Sequence, residues 1–166
     1  MRSISTTCLA ALATALLSLG SACAQPAERP AAPNAVAFMA QNALADGVQT
    51  LPTGVQYKIL KSGPATGPHP TLDDMVKVNY EGKLITGQVF DSSFKDNKPI
   101  TFKLGNLIPG WGDVVPLMRP GDEWLLFIPP GRGYGDSATG PIPPKSVLIF
   151  RLQLMAVGAA AGEPSS

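Results

Sequence analysis

Apolar and polar side chains alternate along most of the chain between residues 55 and 154. Val55, Tyr57 and Ile59 share one parity against Gln56 and Lys58, and Val76, Val78 and Tyr80 share one against Lys77 and Asn79. Ile100, Phe102 and Leu104 repeat the pattern, and Leu148, Phe150, Leu152 and Leu154 alternate with Arg151 and Gln153. A period of two predicts half-buried antiparallel strands, and Gly63-Pro64 and Pro120-Gly121 supply turns between them. One stretch departs from this. From Pro109 to Val115 and on to Met118, the residues Trp111, Val114, Val115 and Met118 fall at i, i+3, i+4 and i+7, one face of a helix. Pro116 has no amide proton with which to continue it, so about two turns are expected. The predicted fold class is α+β, a curled antiparallel β-sheet wrapped over one short amphipathic α-helix.

Upstream the pattern changes. Asn34 to Asp46 predicts a short helix capped by Asn34, with Phe38, Asn42 and Ala45 at helical spacing and Gly47 as its stop. No long helical arm precedes it, so a built-in dimerisation rod is expected to be absent. Residues 25–33, QPAERPAAP, form an extended Pro/Ala linker. Residues 1–24 carry Arg2, an apolar run from Cys8 to Leu19 and then small residues, which predicts a secretory signal peptide rather than a membrane span. Ala22-Cys23-Ala24 fits a cleavage site that leaves Gln25 first. Alternatively, Leu19-Gly20-Ser21-Ala22-Cys23 loosely resembles a lipobox, in which case a lipidated Cys23 would make the membrane a partner. The expected organisation is therefore a signal peptide (1–24), a linker (25–33), a helix with its connection (34–50), a folded domain (51–157) and a flexible tail (158–166). Such a leader predicts export, most simply to the periplasm, with anchoring through Cys23 or secretion as the alternatives.

Composition narrows the chemistry. The chain has 166 residues, 45% of them hydrophobic, enough for one domain with a core. Thirteen basic against twelve acidic side chains give no electrostatic reason to expect nucleic acid as a partner. Both cysteines, Cys8 and Cys23, lie in the leader, so the folded part holds no thiol or disulfide. The one histidine, His69, sits in Gly67-Pro68-His69-Pro70 and is expected to be a surface turn residue. No HExxH, GxSxG or Walker motif occurs, and a serine nucleophile has no histidine to activate it. Asp73-Asp74 is most simply a solvated pair. No cofactor and no metal are expected.

What remains is a set of large apolar residues beside isolated polar ones. Phe90-Asp91 ends a strand, Leu107-Ile108 precedes the helix, Trp111 begins its buried face, and Tyr134 and Ile142 lie in the Gly131–Pro144 loop. Each has a plain structural reading too: Trp111 as core, Asp91 as a turn cap for Ser92 and Ser93, Tyr134 as loop packing.

Seven segments in register carry a resemblance: LPTGVQYKIL (51–60), VKVNYEGKL (76–84), VFDSS (89–93), LIPGW (107–111), GDEWLLFIPP (121–130), GYG (133–135) and IPPKSVLIF (142–150). Together they resemble the FKBP-type peptidyl-prolyl cis-trans isomerases. NALADGVQTLPTG ahead of them is similar to the exported bacterial branch typified by macrophage infectivity potentiators. The resemblance implies an FKBP-like fold and isomerisation of X-Pro bonds, with no covalent or acid–base step. It implies catalytic roles for Tyr80, Phe90, Asp91, Ile108, Trp111 and Tyr134, and substrate contacts from Ile100, Leu107, Ile142 and Phe150. Trp111 would floor the site, while the Ile108 N–H and the Tyr134 hydroxyl would donate to carbonyls of the bound chain. Asp91 would orient Tyr134 or face the carbonyl carbon. The implied partners are proline-containing polypeptides and macrolide inhibitors of the tacrolimus and rapamycin type. Ile100 stands where an aromatic is frequent, Leu107 where valine is usual, and the loop at Ala138–Pro141 is a residue short; these departures bear on ligand preference. The alternative is a non-catalytic proline-peptide-binding chaperone module of the envelope, with the same cleft and negligible turnover.

Overall fold

The computed structural model describes residues 34–96 and 98–158. The expected signal peptide, Cys23, the Pro/Ala linker and residues 159–166 of the expected tail lie outside the described residues. Seven strands form one antiparallel sheet: β1 (Val48–Thr50), β2 (Gln56–Lys61), β3 (Met75–Leu84), β4 (Val89–Ser92), β5 (Ile100–Lys103), β6 (Glu123–Ile128) and β7 (Leu148–Gly158). Their order is β1-β2-β6-β7-β3-β4, with β5 also paired to β3.

The ten-residue strand β3 organises this sheet. One of its sides pairs with β7 along its whole length. The other pairs with β5 over Met75–Val78 and with β4 over Glu81–Lys83. Between those partners the chain leaves the sheet, and Ser93 takes the place of a strand. Its N–H donates to the Tyr80 carbonyl at 2.9 Å, and its hydroxyl accepts from the Tyr80 N–H at 2.9 Å and donates to Asn79 Oδ1 at 3.1 Å. Buried backbone groups need partners, which accounts for two buried polar residues, Ser93 and Asn79, in an apolar setting. Asn79, read from its alternation as outward-facing, is thus buried for a hydrogen-bonding reason.

The helical stripe forms α2 (Pro109–Val114), followed by a single 3-10 turn over Val115–Leu117. Pro109 is suited to the first turn, whose N–H has no intrahelical acceptor. Trp111, Val114, Val115 and Met118 are all buried against the sheet, together with Val76, Val78, Leu126, Phe150 and Leu152. The other face of the sheet is covered by α1 (Ala35–Asn42), where Met39 and Phe38 pack on Phe127, Val147 and Ile149. Asn34 caps α1 as expected, accepting from the N–H groups of Val36 at 3.0 Å and Ala37 at 3.4 Å. The helix stops four residues before Asp46. Asn42 there turns its amide to Gln56 Oε1 at 2.8 Å, and Gln56 Nε2 donates to the Met39 carbonyl at 2.8 Å.

These contacts invert part of the expected pattern in β2. Gln56 is 4% exposed and Ile59 is 41% exposed. Gln56 faces α1, whereas Ile59 precedes a register shift in the pairing with β6 that leaves Leu60 unpaired. His69 is more than a turn residue: its Nδ1 lies 3.1 Å from the Met118 carbonyl, and Arg119 Nε donates to its Nε2 at 2.9 Å. Asp74 accepts from both the N–H and the hydroxyl of Thr71, at 2.7 and 2.8 Å, which holds its carboxyl below the usual range. It therefore closes a turn, while Asp73 lies 3.4 Å from Lys103 Nζ.

Candidate active site

A cleft of about 190 Å³ opens where α2 meets the β3–β7 face. Its floor is Trp111, 4% exposed. The indole stands edge-on to Tyr80 (5.6 Å between centroids, 83°) and to Phe150 (5.4 Å, 87°), a favoured arrangement of aromatic quadrupoles. Phe90 meets Phe150 in the same way at 5.6 Å and 86°. Both rings lie over Gly82, the cross-strand partner of Phe150. A Cβ built on Gly82 would come within 2.5 Å of the Phe90 ring and 2.8 Å of Phe150. Glycine is what lets the two rings settle there.

Phe90 and Asp91 are consecutive in β4, yet both line the cleft. Strict alternation would send them to opposite faces. In the pairing with β3, Gly82 opposes Asp91 and Lys83 opposes Val89, which leaves Phe90 as an extra, bulged residue. The bulge re-aims the strand and brings the ring and the carboxylate to one side.

Asp91 does not orient Tyr134. Its Oδ2 accepts from the Tyr80 hydroxyl at 2.5 Å. Burial, with the Asp91 hydrogen bond and charge adding to it, pushes the Tyr80 phenol above its usual range. Tyr80 therefore stays protonated and donating. The Tyr134 hydroxyl, in a residue 38% exposed, has no hydrogen-bond partner among the described residues. Nor does the Ile108 N–H, which sits in extended backbone at the start of α2. Two residues of the cleft wall thus each carry a donor without a partner among the described residues.

The loop that carries Tyr134 is braced at several points. Arg132 grips Asp113 of α2 with two nitrogens, Nε at 2.7 Å from Oδ2 and Nη2 on Oδ1. The carboxylate raises the Arg132 pKa. Gly135 donates to the Pro130 carbonyl at 2.9 Å, and the Lys145 N–H closes the loop on the Gly135 carbonyl at 2.8 Å. Ile142 is buried in the core beneath this loop and lies off the cleft wall. Ile100 also lies off the wall, half exposed at the start of β5, opposite Val78. Phe102, two residues further along the same face, takes the wall position, 6.1 Å from the Tyr80 ring. The alternation marks Phe102 only as a strand residue, although its parity with Ile100 is the signal for it. Leu107 completes the lining.

Comparison with known proteins places this geometry. A family model described as FKBP-type peptidyl-prolyl cis-trans isomerase matches residues 67–155, more than half of the chain. A second, described as the domain amino terminal to FKBP-type peptidyl-prolyl isomerase, matches residues 10–59. The chain is 47% identical over 122 residues to the peptidyl-prolyl cis-trans isomerase Mip of Coxiella burnetii, covering 73% of this chain and 52% of that protein. It is 44% identical over 126 residues to the outer membrane protein MIP of Legionella longbeachae, covering 75% and 53%. The crystal structure of FkpA from Escherichia coli superposes with a TM-score of 0.72 at 36% identity, over 76% of this chain and 58% of that one. The chain spans about half the length of the curated relatives it matches. With the isomerase-domain model matched through β3 to β7, and relatives this similar, the chain belongs to the FKBP-type peptidyl-prolyl cis-trans isomerase family, in its Mip-like bacterial branch.

Proposed function

We propose that this protein is a peptidyl-prolyl cis-trans isomerase acting on X-Pro bonds of exported polypeptides. One observation carries the proposal: an aromatic cleft about the size of a single ring, lined by Ile108 and Tyr134, whose N–H and hydroxyl have no partner among the described residues. At about 190 Å³ it is smaller than the ~300–1,000 Å³ of sites for drug-sized ligands, and fits one proline ring over Trp111.

The barrier to rotation, roughly 18–20 kcal/mol, is the lost resonance of the planar amide. Water solvates the planar, polar amide better than the twisted one, because the twisted carbonyl carries less negative charge. A cleft walled by Phe90, Phe102, Trp111 and Phe150 removes that ground-state advantage. Hydrogen bonds that form fully only in the twisted geometry lower the barrier further. A thousandfold acceleration requires about 4 kcal/mol, within reach of two such bonds and partial desolvation. Asp91, occupied by Tyr80, fixes that phenol on the cleft wall, and no proton needs to move.

Export rests on residues 1–24 acting as a signal peptide, and the name of the Legionella relative supports an envelope location. No helix among the described residues is long and apolar enough to cross a membrane. Macrolides of the tacrolimus and rapamycin type would occupy the same cleft and compete with substrate.

A protease-coupled assay on an Ala-Leu-Pro-Phe peptide tests the proposal. Wild-type protein is expected to accelerate isomerisation and to be inhibited by tacrolimus. Trp111→Ala should lower kcat/KM and tacrolimus affinity by at least tenfold, because it empties the floor. A wild-type rate equal to the uncatalysed one would leave only a peptide-binding module.

A further inference from the structure

Next to the proline cleft lies a second depression, of about 270 Å³, to which the mechanism above gives no role. Leu107 and Ile108 line both, so a single ridge divides them. Leu72, Leu104 and Pro109 make its walls apolar, and Gly112 of α2 lies along it. Asp113 and Arg132 at its margin are bonded to each other, which leaves no unmatched charge facing the space.

Gly112 explains why the depression is open. Glycine inside a helix costs ~0.5–1 kcal/mol relative to alanine. Packing does not demand it here: an added Cβ would meet one atom within 4 Å, Cδ2 of Leu72 at 3.3 Å. Leu72 is 52% exposed, and its tip is free to swing away. Gly110 in the same helix is different, since a Cβ there would sit 2.5 Å from Ile128 in the core. Nor does Gly112 need a positive φ. A long side chain at position 112 would project into the depression and fill much of it.

We propose that this depression is a specificity subsite, receiving the side chain of the residue that follows proline and selecting a large apolar one. The proposal rests on the proline-cleft reading. When the X-Pro bond turns, proline's own ring and carbonyl move together, and the carbonyl of residue X moves relative to them. The Ile108 N–H belongs to backbone anchored at the start of α2, which suits the half of the chain held still. The Tyr134 hydroxyl, on a rotatable side chain in a loop, suits the carbonyl that swings. With the proline carbonyl on the Ile108 N–H, the next residue crosses the Leu107–Ile108 ridge. Successive Cα atoms are about 3.8 Å apart, so ring and following side chain straddle the ridge without intervening chain. The apolar walls then favour leucine or phenylalanine over glycine.

NMR exchange spectroscopy on Ala-Leu-Pro-Xaa-Ala peptides, with Xaa as Gly, Leu or Phe, tests this. Wild-type kcat/KM should be about tenfold higher for Leu or Phe than for Gly. Gly112→Met, which fills the depression, and Leu72→Ala, which removes a wall, should each bring that ratio close to one. The ratio is read instead of the rate, so a general loss of activity does not imitate the result. A wild-type ratio near one, or a ratio unchanged in both variants, overturns the subsite and leaves the proline cleft standing. Failure to isomerise any of the peptides overturns the cleft reading, and the subsite with it.

Discussion

Tyr80 shows how one residue joins stability to the proposed chemistry. Its phenol is titrated upward by burial and by Asp91, so the folded-state pKa lies above the unfolded value of about 10. Between those two values the folded protein binds more protons than the unfolded chain. The stability contributed by Tyr80 is therefore fully present below about pH 10 and is lost as pH rises through the folded value. Tyr80→Phe removes this contribution. The variant should be less stable than wild type by about 1–3 kcal/mol near pH 8, because Asp91 loses its donor. The gap should narrow as pH is raised past 10, as urea unfolding at stepped pH would show; a gap independent of pH contradicts the assignment. Between pH 6 and 8 the isomerisation rate should stay flat for both proteins. The Tyr80–Asp91 pair was not legible in the sequence, where Asp91 is matched to Tyr134 and Tyr80 stands eleven residues away on another strand. Only the pairing of β3 with β4 brings the phenol and the carboxylate together.

At the scale of elements, period-two patterning marked β2, β3, β5 and β7, and the i, i+3, i+4, i+7 stripe marked α2 together with the side it buries. Short-range patterning fails where the strands are irregular. The bulge at Phe90 exists only as a relation between β4 and β3, so adjacency in sequence could not show that Phe90 and Asp91 share a face. Ile100 and Phe102 share parity, and the register even sets Ile100 opposite Val78 and Phe102 further off, opposite Val76; it is the reach of the Phe102 ring, 6.1 Å from that of Tyr80, that brings it to the cleft, and alternation does not show reach. Ile142 was placed by its loop, and the Thr139–Ile142 bridge turns it inward to the core. Gly82 lies within the VKVNYEGKL segment, but a glycine carries no side-chain chemistry from which a role can be read. It nevertheless sets the space for two cleft rings, which makes Gly82→Ala informative. The added methyl must displace Phe90 and Phe150, at a cost of about 1–3 kcal/mol from overpacking. Catalysis should suffer more than stability: a displacement near 1 Å can cost about a hundredfold. We expect kcat/KM to fall ten- to a hundredfold while the protein remains folded by circular dichroism. Wild-type kinetics in a folded variant would remove Phe90 and Phe150 from the proposed site.

Among the described residues the sheet carries a different α-helix on each face, and the two faces have different duties. α2 closes the face that holds the cleft, while α1 covers the opposite face through Met39, Phe38, Phe127, Val147 and Ile149. This second cover explains why Gln56 is buried and Ile149 is apolar, features that a one-sided sheet would not need. Gln56 is the polar clasp, since it serves both the Met39 carbonyl and the Asn42 amide. Both groups lie in the last turn of α1, and the Met39 carbonyl accepts from the Ala43 N–H at 3.0 Å as well as from Gln56. Gln56→Ala should therefore destabilise the protein by about 1–3 kcal/mol, the loss of its two hydrogen bonds to Met39 and Asn42 at ~0.5–1.5 kcal/mol each. Hydrogen exchange should report where: the α1 amides should lose protection first, while those of β3 and β7 keep theirs relative to global unfolding. Because the cleft lies across the sheet, kcat/KM should change less than twofold at a temperature where the variant is folded. Equal loss of protection in α1 and β3 would mean that the two faces unfold as one cooperative unit, and that α1 is part of the core rather than a clasped cover.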